Sequence, residues 1–409
     1  MTTRNRTGAG TNQEAVRRHN LGTVLGHVHR SGRVSRSDLT ARMGLNRSTI
    51  AGLVGELEAL GLAEQVAPVA SRSSAGRPSP DVVPTADGAH VLAIDVRVDG
   101  LAVARVGLGG SVLARATGPI PVSKDPGEVA DAIVAMLRLV VRDVPASSAL
   151  VGVGVAVPGV VRREDGHVHL APNLGWSDVP FGAVMGERLA SLAAVSVGND
   201  ADLGAFAEHL RGAGVDVADL IYLSGEVGVG AGIIVDGHRL DGAGGYAGEI
   251  GHVSFDPNGR ECHCGERGCW ETQVGAPAIA EAIGCPPDRV ASLSEVLDGV
   301  HAANDDLREV GRLLGRGLAS VVNLLNPRVV VLGGYLRSLY PLVNEEVDGA
   351  LRASALAAPR AQVRVELPVL GGDAVLMGAA ETAFERLVAD PVTCLAQSST
   401  DVEKALSAA

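Results

Sequence analysis

Apolar and polar residues alternate with helical spacing over the first sixty residues of the chain. Residues 13–30 place apolar side chains on one face of a predicted helix, and these are Val16, Leu21, Val24, Leu25 and Val28. Ser35 or Ser37 can cap a short second helix, and Gly44 supplies the turn after it. A third helix begins after the cap residue Asn46. Two helices joined through a turn that contains glycine predict a helix-turn-helix.

The third helix is the predicted DNA-reading helix of a winged domain over residues 11–84. Its first residues are polar, as expected for groups that face phosphates and base edges in a major groove. The stretch that follows predicts two short strands around a tip with Gly76, Arg77 and Pro78, whose guanidinium suits a minor groove. The candidate DNA-binding residues are Asn46, Arg47, Ser48, Thr49, Arg72 and Arg77. A helical hairpin that binds protein, followed by a linker, is the alternative interpretation.

From His90 onward the pattern changes to alternating strands and helices. Three short apolar strands are followed by a helix near 126–142 and by another strand, VGVGVAVPG. After a predicted helix at 200–211 the scheme begins again with DLIYLSG and VGAGIIVDG, and it ends with RVVVLGG and a helix near 373–389. This double occurrence predicts two related α/β lobes with a cleft between them.

Composition and charge restrict what the chain does. Hydrophobic residues make up 46% of its 409 residues but aromatic residues only 2%, and the 53 glycines predict a core of close backbone contacts. No apolar run is long enough to cross a membrane and the N-terminus has no apolar signal segment, so we expect a cytoplasmic protein. Residues 1–80 carry a net charge of +6 and the remainder −18, which indicates a polyanionic partner for the N-terminal part, although a solvated basic tail is the simpler alternative.

Three of the five cysteines lie within eight positions, namely Cys262, Cys264 and Cys269. In a chain without an export signal, such a cluster indicates metal binding more readily than a disulfide framework. Three reduced structural thiols are the alternative.

The segment GEIGHVSF with GRECHCGERGCWE resembles the signature of the ROK family of repressors and sugar kinases, and so do VPGVV, APNLGW, NDADLGAFAE and VLGG. The N-terminal part is similar to the repressor branch of that family. The resemblance implies an actin-like ATPase fold of the sugar kinase and ribonuclease H type for residues 88–409, with lobes at about 88–199 and 200–390. It covers almost the whole chain, and the cysteine segment is its most specific part.

The resemblance assigns four zinc ligands, which are His252, Cys262, Cys264 and Cys269. Three thiolates and one imidazole suit tetrahedral Zn²⁺, and four protein ligands leave no open position, so we expect a structural ion. His263 is a further nitrogen donor in the segment, but it matches no ligand position of the family motif.

The resemblance also implies a pocket for a sugar, whose hydroxyl groups need paired donors and acceptors. Its predicted residues are Gly159, Asn199, Asp200, Glu249, His252 and Glu271. In the family's kinases the residue that matches Asp200 is the general base. We expect Leu174 and Trp176 to influence which sugar binds.

The phosphate-binding turns of the kinases are altered in this chain. Kinases of the family begin the domain with Asp-x-Gly-Gly-Thr, whereas this chain has DVRVD at 95–99, without either glycine or the threonine. In the second turn Glu226 stands where the kinases usually have threonine. We therefore expect no phosphoryl transfer, and Asp200 to bind a sugar hydroxyl without catalysis.

These observations lead to three hypotheses. The first is a sugar-responsive regulator, by default a repressor relieved by its ligand, which binds operator DNA as a homodimer or homotetramer. The second is an active ATP-dependent kinase of a hexose or N-acetylhexosamine with an added DNA-binding domain. The third is a zinc-containing interaction protein that binds neither sugar nor DNA.

Overall fold

The computed structural model describes residues 13–68, 79–189 and 192–398. In the N-terminal part, which we call the head, the elements are α1 (Gln13–Ser31), β1 (Val34–Ser35), α2 (Arg36–Met43), α3 (Arg47–Ala59), β2 (Ala63–Val66) and β3 (Asp81–Pro84). The side chain of Ser35, not that of Ser37, caps α2 by accepting a hydrogen bond from the Asp38 amide. Asn46 caps α3 through the Thr49 amide, and the strands pair in the order β1-β3-β2. These elements confirm the predicted winged helix-turn-helix.

The first lobe is built on a five-stranded sheet. Its elements are β4 (Ala89–Val96), β5 (Leu101–Gly107), β6 (Ser111–Gly118), α4 (Pro126–Val140), β7 (Ala149–Val157), β8 (Val160–Arg162), β9 (His167–Ala171), β10 (Trp176–Val179), α5 (Phe181–Leu189) and β11 (Val195–Asn199). Strands β4, β5 and β6 form an antiparallel meander, whereas β7 runs parallel to β4 and β11 runs parallel to β7. Strands β8, β9 and β10 form a separate small sheet, which the sequence did not predict.

The second lobe repeats this plan. Its elements are α6 (Asp200–Arg211), β12 (Leu220–Gly225), β13 (Val229–Val235), β14 (His238–Arg239), α7 (Glu271–Val274), α8 (Ala276–Ile283), α9 (Leu293–Asp298), α10 (Asp305–Leu325), β15 (Val329–Gly334), α11 (Leu336–Ser354), α12 (Ala357–Arg360), β16 (Arg364–Glu366), α13 (Ala374–Ala389) and α14 (Pro391–Ala396). The two sheets have equivalent strand orders, β6-β5-β4-β7-β11 and β14-β13-β12-β15-β16. The predicted repeat of a meander followed by parallel strands is therefore present.

Glycine allows backbones to approach each other where α13 crosses the first sheet. A Cβ on Gly154 of β7 would lie 1.9 Å from the carbonyl oxygen of Ala379 in α13, and a Cβ on Gly378 would lie 1.9 Å from the Leu203 carbonyl oxygen in α6. Both distances are far below a possible contact, so only glycine fits. Close backbone packing thus takes the place of large aromatic side chains in this core, as the composition predicted.

The head, the first sheet and helix α13 share one hydrophobic core. Leu21 and Leu25 of α1 belong to the same buried cluster as Phe384 and Leu387 of α13. A Cβ on Gly22 would lie 2.3 Å from the Val388 carbonyl oxygen, so α1 meets the end of α13 at backbone distance. No helix among the described residues is both long and apolar enough to cross a membrane.

Candidate functional site

A pocket lies between the two sheets and collects side chains from both lobes. All six residues that the sequence predicted for it line it, and these are Gly159, Asn199, Asp200, Glu249, His252 and Glu271. Strand ends and loops supply them, because β7 and β11 of the first sheet end at this cleft, as does β12 of the second, while β13 begins there. Asn173, in the loop between β9 and β10, also lines the pocket.

Asn199 connects the loop after β7 to the start of α6. Its side-chain amide donates to the Gly159 carbonyl oxygen at 2.9 Å, and its Oδ1 caps α6 by accepting from the Asp202 amide at 3.1 Å. Gly159 has a φ of 104°, and a Cβ there would lie 2.2 Å from the Leu170 carbonyl oxygen. The loop therefore needs glycine at this position, and Asn199 holds it in place.

Asp200 is the first residue of α6 and faces the pocket. Its Oδ1 accepts a hydrogen bond from the Ala201 amide at 2.8 Å. Burial, together with the nearby carboxylates of Asp95 and Glu249, raises the pKa of Asp200 to about 7 against the opposing effect of the Ala201 amide. A carboxyl group with this pKa both accepts and donates hydrogen bonds near neutral pH, which suits a hydroxyl ligand.

Glu271 lies between the pocket and the cysteine segment. The side chain is buried at the start of α7, and its Oε1 lies 3.6 Å from His252 Nδ1. A Cβ on Gly228 would lie 2.2 Å from Glu271 Oε2, so a side chain at this wall of the pocket would displace the Glu271 carboxylate. On the other side of the imidazole, Nε2 of His252 lies 3.9 Å from an oxygen of Glu249.

The four predicted metal ligands come together. The ligand atoms of His252, Cys262, Cys264 and Cys269 all lie within 4.8 Å of one another, and this cluster could hold a metal ion. Cys264 Sγ lies 3.7 Å from Cys269 Sγ, and Cys262 Sγ lies 3.7 Å from His252 Nδ1. The loop closes around them at Gly268, which has a φ of 68° and no room for a Cβ beside the Asp256 carbonyl oxygen.

His263, the competing nitrogen donor, is placed differently. Its Nδ1 lies 3.9 Å from Cys262 Sγ but only 3.3 Å from Glu271 Oε1, and it contributes to a second group of possible ligands with His252 and Glu271. The ring is half exposed and lines the sugar pocket.

Carboxylates surround the cleft where the kinase phosphate turns would lie. A cavity of about 270 Å³ is lined by residues 95–99, by Asp200 and by Glu226. The Arg97 guanidinium donates to Asp95 Oδ2 at 2.5 Å and is therefore engaged in an ion pair. Burial against the walls of the cleft raises the pKa of Glu226, and the charges of Asp200 and Asp95 act in the same direction. The Glu226 side chain is nevertheless exposed towards the cleft.

The sequence did not predict a buried ionic network that connects α1 of the head with α6 and α13 of the second lobe. Arg211, the last residue of α6, donates to Glu381 Oε1 at 2.5 Å and to the His29 carbonyl oxygen at 3.2 Å. The His29 ring lies 3.1 Å from Glu381 Oε2 through Nε2, and its Nδ1 accepts from the Gly109 amide at 3.0 Å. Nε2 of the same ring also lies 2.7 Å from the Arg211 guanidinium, so imidazole, guanidinium and carboxylate form one compact network. No local pattern could have revealed residues so far apart in the chain.

The start of α3 presents polar groups to solvent. Asn46 Oδ1 accepts from the Thr49 amide at 2.8 Å and from Ser48 Oγ at 2.7 Å, so both Asn46 and Ser48 are used in capping. Arg47 and Thr49 are exposed, and within the described ranges the Arg47 guanidinium forms no hydrogen bond or ion pair. The predicted wing-tip residues Arg72 and Arg77 lie outside the described residues.

The expectation for Leu174 and Trp176 was wrong. Both side chains are buried in the core of the first lobe, and the Trp176 indole donates to the Lys124 carbonyl oxygen at 2.6 Å. Neither lines the pocket, because the loop turns their apolar groups inward and leaves Asn173 at the cleft.

Comparison with family profiles assigns both parts of the chain. The profile described as the ROK family matches residues 91–386, and a MarR family profile matches residues 22–72. The chain is 28% identical over 336 residues to the xylose repressor of Bacillus spizizenii (strain ATCC 23059 / NRRL B-14472 / W23), with 81% of this chain and 86% of the relative covered.

Two solved structures are similar to this fold. One is a ROK family transcriptional regulator described as a homolog of the E. coli MLC protein, with a TM-score of 0.72, 25% identity, and coverage of 95% of this chain and 99% of that one. The other is a ROK family glucokinase from Streptomyces griseus in complex with glucose and AMPPNP, with a TM-score of 0.62, 27% identity, and coverage of 72% and 98%.

Proposed function

This chain belongs to the ROK family and begins with a MarR-type winged helix, and on that premise we propose that it is a sugar-responsive transcriptional repressor that does not phosphorylate its ligand. The proposal rests on one observation: the same chain contains a winged helix and a polar cleft, and the two are connected by a shared hydrophobic core. The similarity to a xylose repressor over most of both chains supports it.

The ligand is a sugar or sugar derivative held by its hydroxyl groups. Asp200, Glu249 and Glu271 supply carboxyl oxygens, and His252 supplies a ring nitrogen, so neighbouring hydroxyls find both acceptors and donors. Asn199 keeps the loop at Gly159 against the ligand. In this assignment Asp200 binds a hydroxyl group and removes no proton from it for attack on a phosphate.

The metal ion at the cysteine segment is a structural zinc. A tetrahedron with Zn–S distances of about 2.3 Å has sulfur–sulfur edges of about 3.8 Å, and the Cys264–Cys269 distance of 3.7 Å agrees with this. His252 Nδ1 faces the thiolates while Nε2 faces Glu249, so one ring serves the ion and the pocket. Zinc would thus fix the orientation of a ligand-binding imidazole.

Helix α6 transmits occupancy of the pocket to the head. It begins at Asp200 in the pocket and ends at Arg211 in the buried network with His29 of α1. Twelve residues of α-helix span about 18 Å as a rigid unit. A sugar that draws Asp200 and the second lobe together moves α6, and the change in the position of α1 alters DNA affinity.

The DNA partner is an operator read by α3. Arg47 and Thr49 reach base edges and phosphates from the start of the helix. Arg72 and Arg77, which lie outside the described residues, stay the predicted contacts to the neighbouring groove. A single winged domain reads a short half-site, so the chain acts as a homodimer or homotetramer in the cytoplasm.

An active sugar kinase is the second candidate, favoured by Asp200 at the position of the family's general base and by the similarity to a glucokinase. The phosphate cleft argues against it. Arg97 and Val98 replace the glycines whose amides would approach phosphates, and Arg97 is already paired with Asp95. Asp99 adds a carboxylate to the same cavity, which opposes binding of a nucleotide polyanion, although Arg337 also lines it.

Two assays on the full-length zinc-loaded chain test the proposal. An ADP-release assay with xylose, glucose and N-acetylglucosamine should show no turnover, and at least one sugar should weaken operator binding. Asp200→Ala should abolish that response and leave operator affinity in the absence of sugar unchanged. Turnover of any sugar, or an intact response in Asp200→Ala, would refute the assignment.

A further inference from the structure

A second group of metal-binding side chains lies on the hairpin of β9 and β10. His167 and His169 are two residues apart on β9, so both project from the same face of the strand. Asp178 lies on β10 between the paired positions Ser177–Leu170 and Val179–Val168, which places it opposite His169. The hairpin thus brings two imidazoles and one carboxylate together outside the cysteine segment.

The spacing of the three ligand atoms fits a metal ion. Asp178 Oδ1 lies 3.3 Å from His169 Nδ1 and 3.6 Å from His167 Nε2, and all three atoms lie within 4.8 Å of one another. Around a zinc ion with arms of about 2.0–2.1 Å, neighbouring tetrahedral ligands are about 3.3 Å apart. A small cation can therefore reach all three atoms with little movement of the side chains.

The surroundings of the group favour a cation. Among the described residues, the carboxylate of Asp178 pairs with the two imidazoles and with no lysine or arginine. No fixed positive charge thus occupies the place of the ion.

A partner from the second lobe orients one of the imidazoles. The Tyr246 hydroxyl lies 2.6 Å from His169 Nε2, on the ring nitrogen that does not face Asp178. When Nε2 donates its proton to this oxygen, the lone pair of Nδ1 points towards the ion, as metal-bound histidines usually require. The loop that carries Tyr246 leads directly to Glu249 of the pocket.

We propose that His167, His169 and Asp178 form a second metal site, which binds a divalent transition ion of the Zn²⁺ class. Imidazole with one carboxylate suits such ions, and three protein ligands leave at least one position for water. Its ligands are separate from those of the cysteine cluster. Its bound ion would link the hairpin, through Tyr246, to the opposite wall of the cleft.

Zinc stoichiometry tests the proposal directly. Untagged full-length chain, stripped of metal and refilled with Zn²⁺ in competition with a chromophoric chelator, should bind two equivalents. His167→Ala/His169→Ala should bind one equivalent, and Tyr246→Phe should bind two with the second weakened about tenfold or more. His238→Ala, which removes an exposed histidine outside the group, is the matched control and should bind two.

Cobalt distinguishes the two sites by their ligands. The first Co²⁺ equivalent should give thiolate charge-transfer absorption from the cysteines, and the second should add only the weaker bands of nitrogen and oxygen ligation. Operator binding by the double variant verifies that it is folded. A wild-type chain that binds one equivalent, a double variant that binds two, or a loss in His238→Ala equal to that in the double variant would each overturn the proposal.

Discussion

Replacing Glu381 with glutamine tests the buried network between the head and the body. The Glu381 side chain is 3% exposed and that of Arg211 is 10% exposed, and their contact at 2.5 Å is supplemented by His29. Glu381→Gln keeps the shape but removes the negative charge, so the Arg211 guanidinium remains buried without a counter-charge. We expect the variant to lose stability without losing its fold.

The magnitude follows from the pKa of Glu381. Burial alone would raise it, but His29 and Arg211 outweigh burial and lower it from 4.5 to about 2. A difference of that size corresponds to about 3 kcal/mol in the free energy of unfolding, similar to the loss of one partner from other buried pairs. Because the folded-state pKa is the lower one, this stabilisation is complete above about pH 5 and is lost as the pH falls towards 2.

Urea unfolding followed by circular dichroism measures this difference. Wild type and Glu381→Gln should differ by about 3 kcal/mol at pH 7 and by roughly 2 kcal/mol at pH 3.5. The matched control is Glu385→Gln, one turn later on α13, where an exposed carboxylate pairs with Arg163 and Arg239. We expect the control to lose less than about 1 kcal/mol. If Glu381→Gln is no less stable than the control, the network does not hold the head in place.

Three further perturbations probe the pocket, the metal and the head. Gly228→Ala places a methyl group where Glu271 Oε2 lies, so sugar affinity by calorimetry should fall about tenfold, whereas Gly186→Ala on an open helix face should leave it unchanged. Removal of zinc by a chelator should abolish sugar binding and lower the melting temperature, and added Zn²⁺ should restore both; full sugar binding without zinc would contradict the structural role. Arg47→Ala should weaken operator binding and relax sequence preference by roughly 1–3 kcal/mol at one position, while Arg77→Ala should weaken binding to all sequences; wild-type gel-shift affinity in both variants would exclude the docking scheme.

Local signals in the sequence predicted most elements of the fold. The caps at Ser35 and Asn46 and the apolar spacing behind them depend only on neighbouring residues, so the helices of the head could be anticipated. The repeated sheets followed from runs of aliphatic residues between glycine turns. The small sheet of β8–β10 was missed because its strands are short and carry histidine and charged residues among the apolar ones.

The residues of the candidate site were predicted from the resemblance to the ROK family, whereas the contacts between distant helices were not predicted. Asp200 and Glu271 meet in one pocket although 71 positions separate them, and only the family motif connected them in advance. The pairing of Arg211 with Glu381 has no such motif and depends on how α6 crosses α13. Trp176 was expected to influence the choice of sugar, but the lower free energy of burying its ring directs it into the core.

The close fit of α1 against α13 has a practical consequence for building chimeric regulators. Leu21 and Leu25 are buried by residues of α13 and α14. A fragment cut after β3 would therefore expose these two apolar side chains to water and aggregate. A graft that exchanges DNA specificity between two such proteins therefore has to transfer α13 and α14 together with the first eighty-odd residues. Helices α13 and α14 thus belong structurally to the DNA-binding head.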